Sequence, residues 1–250
     1  MRAQINEFVR TSPDIIVVNS TPALDEAHAA TRTIPVIFIL AVDPVELGYI
    51  QSLARPGGNI TGFTYWDVTL IGKWLQLLKE VSPEIERATF IHNPATTPFY
   101  PALLKVADSL AQSHDIKLDR VEVREAGEIE PAIRAIARKP RASLVNGSDP
   151  FLFENRKVIA DTAIAARLPL ISIYRAFADA GALMTYGPDT VNVYREGAGY
   201  VARVLKGANP GELPAQAPTK YEFVLNAGTA SRLGLAFPTA MLAVADQIVE

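Results

Sequence analysis

The sequence predicts an α/β chain with doubly wound parallel sheets, and three observations carry that expectation. The apolar runs IIVV at 15–18, VIFIL at 36–40 and ASLV at 142–145 are continuous rather than alternating, as in parallel strands covered on both faces. Prolines mark the two ends of strands differently. Pro35 and Pro169 precede strand-like runs, where a missing N–H costs little. Pro22, Pro44 and Pro150 follow them, each at a first helical position behind a residue that can cap free N–H groups. The third observation is recurrence. NSTPAL at 19–24 and GSDPFL at 147–152 repeat one strand-to-helix corner, Asp43-Pro44 makes another, and Asn93-Pro94 or Thr97-Pro98 a further one.

In chain order, strands are expected at 14–18, 36–41, 60–64, 88–92, 118–123, 142–146, 170–174, 182–186 and 221–225. Helices are expected at about 22–32, 44–55, 67–81, 98–113, 128–138, 151–167, 190–206, 228–233 and 238–249. Leu70, Ile71, Trp74, Leu75, Leu77, Leu78 and Val81 give the helix at 67–81 its apolar stripe. The break at 210–218, rich in Pro and Gly, is long enough to connect lobes, and two half-sized α/β lobes suit the chain better than one sheet.

Composition narrows the function. At 250 residues and 49% hydrophobic content the chain can bury a substantial core. A net charge of −3 with scattered Lys and Arg offers no stripe that would follow nucleic acid, so nucleic acid is not an expected partner. No apolar run reaches the roughly 18 residues a membrane span needs, and MRAQINEFVRTSPDI has no signal-peptide core, so this chain shows neither membrane insertion nor an export signal. With no Cys, disulfides, thiolate catalysis and Cys-ligated zinc are out of reach. His28, His92 and His114 lack clustered ligand spacing. No Ser-His-Asp order or G-x-S-x-G elbow appears, and nothing calls for a cofactor or a catalytic metal. ARPGGNITGFTYWD matches neither phosphate-binding glycine pattern and reads as a turn.

In such sheets, ligands bind outside the carboxyl ends of the strands, where helix N-termini direct N–H groups into the crevice. The corners therefore supply the candidate ligand-binding residues. Ser20 and Thr21 could donate to a ligand carboxylate, or Thr21 could cap its own helix. Asp43 with Glu46 has the form of a capping box. Asn93 and Thr97 share the ambiguity, and Ser148 stands beside Asp149, which could pair with a ligand ammonium or act as a cap. Tyr65, Trp66, Phe151, Tyr174 and Tyr186 fall where strands end and could wall a small-ligand cleft. Arg175 is the cation at a strand end suited to bidentate carboxylate recognition, or else a solvated surface arginine.

The ordered set Thr21-Pro22-Ala23, Ile34-Pro35-Val36-Ile37-Phe38, Asp43-Pro44-Val45 and Arg55-Pro56-Gly57-Gly58-Asn59-Ile60-Thr61-Gly62 resembles the ABC-transporter substrate-binding proteins that include tryptophan-type amino-acid binders. Leu77-Leu78-Lys79-Glu80, Leu205-Lys206-Gly207 and the stretch from Asn226 to Glu250 extend the resemblance over nearly the whole chain. It implies a type I periplasmic-binding-protein fold, two lobes closing on a ligand through a three-crossover hinge near Thr61–Thr64, Met184–Gly187 and Ala215–Tyr221. The lobes would be 1–62 with 187–214, and 63–186 with 215–250. It also implies an extracytoplasmic receptor, not an enzyme, whose partners are a small organic ligand and the membrane permease of an ABC importer. An amino acid or an aromatic or aliphatic carboxylate is the expected ligand. A sensor domain on the same fold is the nearest rival and a cofactor-free enzyme the next. Relatives begin with a secretory signal and a first β-α-β, so Met1 is expected to lie inside the first lobe and strand 14–18 to be a bare edge.

Overall fold

A computed structural model describes residues 1–66 and 68–250. In chain order the elements are α1 (Arg2–Arg10), β1 (Ile16–Asn19), α2 (Thr21–Ala30), β2 (Val36–Ala41), β3 (Ile60–Thr64), α3 (Thr69–Val81), β4 (Arg87–His92), α4 (Tyr100–Gln112), β5 (Lys117–Glu122), α5 (Ala126–Ala137), β6 (Ala142–Asn146), α6 (Pro150–Glu154), α7 (Arg156–Ala165), β7 (Leu170–Ser172), α8 (Ala176–Ala180), β8 (Met184–Pro188), α9 (Thr190–Leu205), β9 (Tyr221–Asn226), α10 (Ala227–Leu233), α11 (Thr239–Val244) and β10 (Gln247–Val249). The chain divides into two compact units, Met1–Asp67 with Pro188–Tyr221, and Val68–Gly187 with Glu222–Glu250.

The first unit is built on a sheet of order β1-β2-β3, both pairs parallel. The residues that alternate along each strand separate two apolar layers. Ile16, Val18, Val36, Phe38 and Ile60 pack with Ile5, Leu24 and Ala27 from α1 and α2. Ile37, Ile39 and Phe63 pack on the other face with Val193, Tyr200 and Val204 of α9. Strand β1 is an edge, and its outward Val17 is 49% exposed. Beyond β3 the segment 213–216 is laid along the sheet: Thr61 Oγ1 donates to the Leu213 carbonyl at 2.7 Å, and Gln216 N donates to the Gly62 carbonyl at 2.9 Å.

The second unit is a sheet of order β10-β9-β8-β7-β6-β4-β5. The pairs β4 with β5 and β6, β6 with β7, β7 with β8, and β9 with β10 are parallel. On one face Ile91, Leu144 and Leu170 meet Ile129, Ile133, Ile159 and Phe177 from α5, α7 and α8. The apolar stripe of α3 is wholly buried, and Trp74 donates its indole N–H to the Tyr186 carbonyl at 2.7 Å. Each fully buried side chain of that size contributes roughly 1.5–3 kcal/mol, so packing rather than capping fixes α3, which has no side-chain cap. Pro35 and Pro169 act as the sequence suggests. They lie just before β2 and β7 and still offer their carbonyls, to Ile16 N at 2.9 Å and Leu144 N at 2.8 Å.

Several expected elements differ. The helix expected at 44–55 is a run of turns. Leu47 N bonds the Asp43 carbonyl, but Gly48 then turns left-handed at φ 74°, and Gln51 N closes on the Pro56 carbonyl, so no second helical turn forms. The segment 151–167 is two helices interrupted at Asn155, whose Nδ2 donates to the Phe151 carbonyl. The C-terminal helix stops at Val244, and residues 247–249 pair with β9 instead. Asp246 enforces that change, because its backbone N donates to the Phe223 carbonyl at 2.9 Å and its carboxylate accepts from Phe223 N at 2.7 Å. The short α8, absent from the sequence reading, forms directly after β7 and ends at Gly181 with φ 111°.

Candidate ligand-binding rims

At the carboxyl edge of the first unit, the corner after β1 is unusual in its backbone. Ser20 occupies the N-cap position of α2 at φ 85°, ψ 155°, a conformation ordinarily left to glycine that costs about 1–3 kcal/mol. Its hydroxyl does not cap the helix. Thr21 does not cap it either. Buried at 6% exposure, its Oγ1 accepts from Val42 N at 2.9 Å and ties this corner to the end of β2. Asp43 is exposed at φ 50°, and the capping box expected with Glu46 does not form because no helix follows. Tyr65 and Trp66, just past β3, are buried at 1% and 2% exposure.

The carboxyl edge of the second unit is a knot of hydrogen bonds centred on Asp149, which is 0% exposed. One carboxylate oxygen accepts from Thr96 Oγ1 at 2.7 Å, from Phe151 N at 2.9 Å and from Leu152 N at 3.4 Å. The other accepts from Asn93 N at 2.7 Å. Asp149 is thus the cap of α6 and at the same time the clasp that joins the β6 corner to the β4 corner. The Asn93 side chain extends the knot, its Oδ1 accepting from Ala95 N at 2.8 Å and its Nδ2 donating to the Arg124 carbonyl at 3.1 Å. Thr97 Oγ1 donates to the Asn93 carbonyl at 2.7 Å and lies 3.3 Å from His92 Nδ1. Tyr100 donates to the Ser148 carbonyl at 2.6 Å and packs edge-on against His92.

Around this knot lie the aromatic candidates. Phe151 is partly buried against the α5–α7 core. Tyr174 meets Phe153 edge-on at 4.8 Å and stacks on Phe177 at 6.1 Å. Burial, reinforced by the Asp149 charge, holds its phenol well above the usual range, while hydrogen bonding with Ser148 opposes this. Tyr186 is half-buried beside Phe223. Arg175 spends donors inside the unit: Nη1 on Asp179 at 2.7 Å, Nη2 on Gln247 Oε1 at 2.8 Å, and Nε 3.4 Å from Glu222. The structure therefore brings Asn93, Thr97, Ser148, Asp149, Phe151 and Tyr174 to one edge of the second unit, and Ser20, Thr21 and Asp43 to one edge of the first. Sequence reasoning missed Thr96, whose signal was only a hydroxyl pair ahead of Pro98.

Buried His92 predicts a pH dependence. Desolvation lowers its pKa from 6.5, with Arg120 acting the same way and Glu122 and Asp149 opposing. A folded value below the unfolded one means the unfolded chain binds more protons, so this contribution is present above about pH 6.5 and is lost as pH falls below it. Urea midpoints of the wild type should therefore drop between pH 7.5 and 5, and His92→Gln should flatten that fall. An unchanged slope in the variant would place the dependence elsewhere.

Among the described residues, no group of three or more His, Asp or Glu is arranged to hold a metal ion, and no helix is long and apolar enough to cross a membrane. The chain is 29% identical over 236 residues to a tyrosine-binding protein of Clostridioides difficile, spanning 92% of this chain but only 66% of that relative's length. A conserved domain protein from Vibrio cholerae O1 biovar El Tor superposes with a TM-score of 0.92 at 27% identity, over 99% of this chain and 82% of that one. A Streptococcus pneumonia ABC domain solved in complex with L-Trp gives 0.91 at 20% identity, over 99% and 83%, and shares the fold. The family described as ABC transporter substrate binding protein matches residues 1–249, and this chain belongs to it.

Proposed function

We propose that the protein is the solute receptor of an ABC importer, working outside the cytoplasm with a membrane permease, and that its ligand is an aromatic amino acid. The observation that carries the reading is Ser20. A non-glycine residue held in a glycine conformation at the start of a ten-residue helix, with its hydroxyl unused as a cap, suits recognition of an anionic group. The ligand carboxylate binds there. Trp66 and Tyr174 flank the ring, with Tyr65, Phe151 and Tyr186 completing an apolar wall and Asn93, Thr97 and Ser148 offering polar contacts. The tyrosine-binding relative and the L-Trp-bound structural neighbour support this choice of ligand.

Titration calorimetry with L-tyrosine, L-tryptophan, L-alanine and tyramine tests it. The two aromatic amino acids should bind, L-alanine should bind far more weakly, and tyramine, lacking the carboxylate, should lose most of the affinity. Trp66→Ala should weaken L-tryptophan by about 1–3 kcal/mol, the worth of a buried aromatic contact. Equal affinity for tyramine and L-tyrosine would remove the carboxylate from the reading. Unchanged affinity in Trp66→Ala would return that ring to the core. Conversion of either amino acid into a product would favour the enzyme.

A further inference from the structure

Beneath the rim of the second unit, β6 and β7 are buried at every position. Such strands are ordinarily apolar. Yet the register sets Asn146, Ser172 and Thr185 side by side across β6, β7 and β8, at 0%, 0% and 1% exposure. Leu144 and Leu170, one step earlier on the same face, belong to the apolar core. On β6 and β7 the row thus takes the last strand position, and on β8 it falls near the start.

Its bonds point toward the rim. Asn146 Nδ2 donates to Ser172 Oγ at 3.0 Å, and the same Oγ accepts the backbone N–H of Tyr174 at 3.2 Å. The adjacent Ile173 N still bonds the Asn146 carbonyl, so the parallel ladder ends there and the chain turns into α8 through Tyr174 and Arg175. The row is not otherwise satisfied, since Asn146 Oδ1 and Thr185 Oγ1 are buried without a hydrogen-bond partner. An apolar residue at 146 would leave no such orphan and would pack on the neighbouring core. What the amide adds is orientation of the Ser172 hydroxyl, and what that hydroxyl adds is a fixed entry to the Tyr174 turn.

We propose that Ser172 and Asn146 are a positioning pair that sets ligand affinity without touching ligand, by holding the turn that presents Tyr174. The proposal rests on the reading above that Tyr174 walls the ligand, so its test has an arm that needs no ligand. In Ser172→Ala, hydrogen exchange at the Tyr174 amide should quicken about two- to tenfold, as loss of one neutral hydrogen bond implies, while the α7 amides keep their protection. Ser172→Thr, which retains the hydroxyl, should restore it. Affinity for L-tyrosine should weaken by a similar factor in Ser172→Ala, and combining it with Tyr174→Ala should add nothing beyond Tyr174→Ala alone. Asn146→Ala should reproduce the exchange change, and if it does not fold, Ser172→Ala decides alone.

Unchanged exchange at Tyr174 in Ser172→Ala would overturn the pair. Faster exchange with wild-type affinity for L-tyrosine would overturn its control of binding, as would additive effects with Tyr174→Ala. Should the wild type bind neither L-tyrosine nor L-tryptophan, the reading of the ligand and the control of its affinity both fail. Exchange at Tyr174 would then still separate a pair that holds the turn from one that does not.

Discussion

Gly62→Ala is expected to abolish folding of the first unit. A methyl group at this position would stand 2.0 Å from the Phe38 carbonyl oxygen and 2.7 Å from the Phe38 nitrogen. These are backbone atoms of the partner strand, in register with Gly62, so no side chain can swing away. The backbone at φ 155° adds strain for any L side chain. Next to this contact, β2 is already irregular: Leu40 sits at φ 60°, and the register shifts between Ile39 and Ala41. Relief would have to separate β2 from β3, which carry the apolar layers on both faces. The cost is expected at about 4 kcal/mol or more, a large part of the 5–15 kcal/mol that holds a typical domain together. Urea melts should show the first unit's transition lost. Gly58→Ala is the control, because a methyl group there meets nothing within 4 Å and the backbone is not left-handed. It should be neutral or slightly stabilising. Equal melts for the two variants would show that the close approach of β2 and β3 has slack.

How much of this was legible in the sequence depends on the range over which each choice is made. Strands β2 and β6 fall where the continuous apolar runs put them, because burial on both faces leaves a local trace. The α3 stripe is equally local. The segment after Asp43 misleads because its cap-like start and Glu46 are real helix signals, whereas what defeats them is the left-handed Gly48 and a turn closing on Pro56. Residues 247–249 read as helix because the pairing that makes them a strand is with β9, beyond any local window. The rims divide the same way. Corners were visible as cap-and-proline pairs, but their ties were not: Thr21 bonds Val42, and Asp149 bonds Asn93 and Thr96, all distant in sequence. No pattern of letters announces a serine at φ 85° either, since the strain belongs to the fold around it.

Asp149→Ala is the second large effect, and it separates two roles that the sequence left open. The wild-type carboxylate is buried and accepts from Asn93 N, Thr96 Oγ1, Phe151 N and Leu152 N. Alanine would leave three backbone donors and a hydroxyl without their acceptor, and both the α6 cap and the link between the β4 and β6 corners would go. Each stranded donor costs roughly 1–3 kcal/mol, so a total loss of about 4 kcal/mol or more is expected for the second unit. Thr96→Val removes one arm of the same clasp while filling its space, and should cost only about 1 kcal/mol. Asp149→Asn falls between them, because an amide of the same shape keeps one acceptor but turns an NH2 group toward either Asn93 N–H or the cluster at Thr96 and Phe151. Urea unfolding of the three variants should follow that order, and, on the proposed reading of the ligand, affinity for L-tyrosine should fall with stability through the disturbed rim. Asp149→Asn with wild-type stability but no binding would reverse the assignment, making the carboxylate a direct partner for the ligand ammonium. A loss of stability shared by Asp149→Asn and Thr96→Val in a double-mutant cycle would instead support the clasp, since residues of one hydrogen-bond network couple whereas independent sites add.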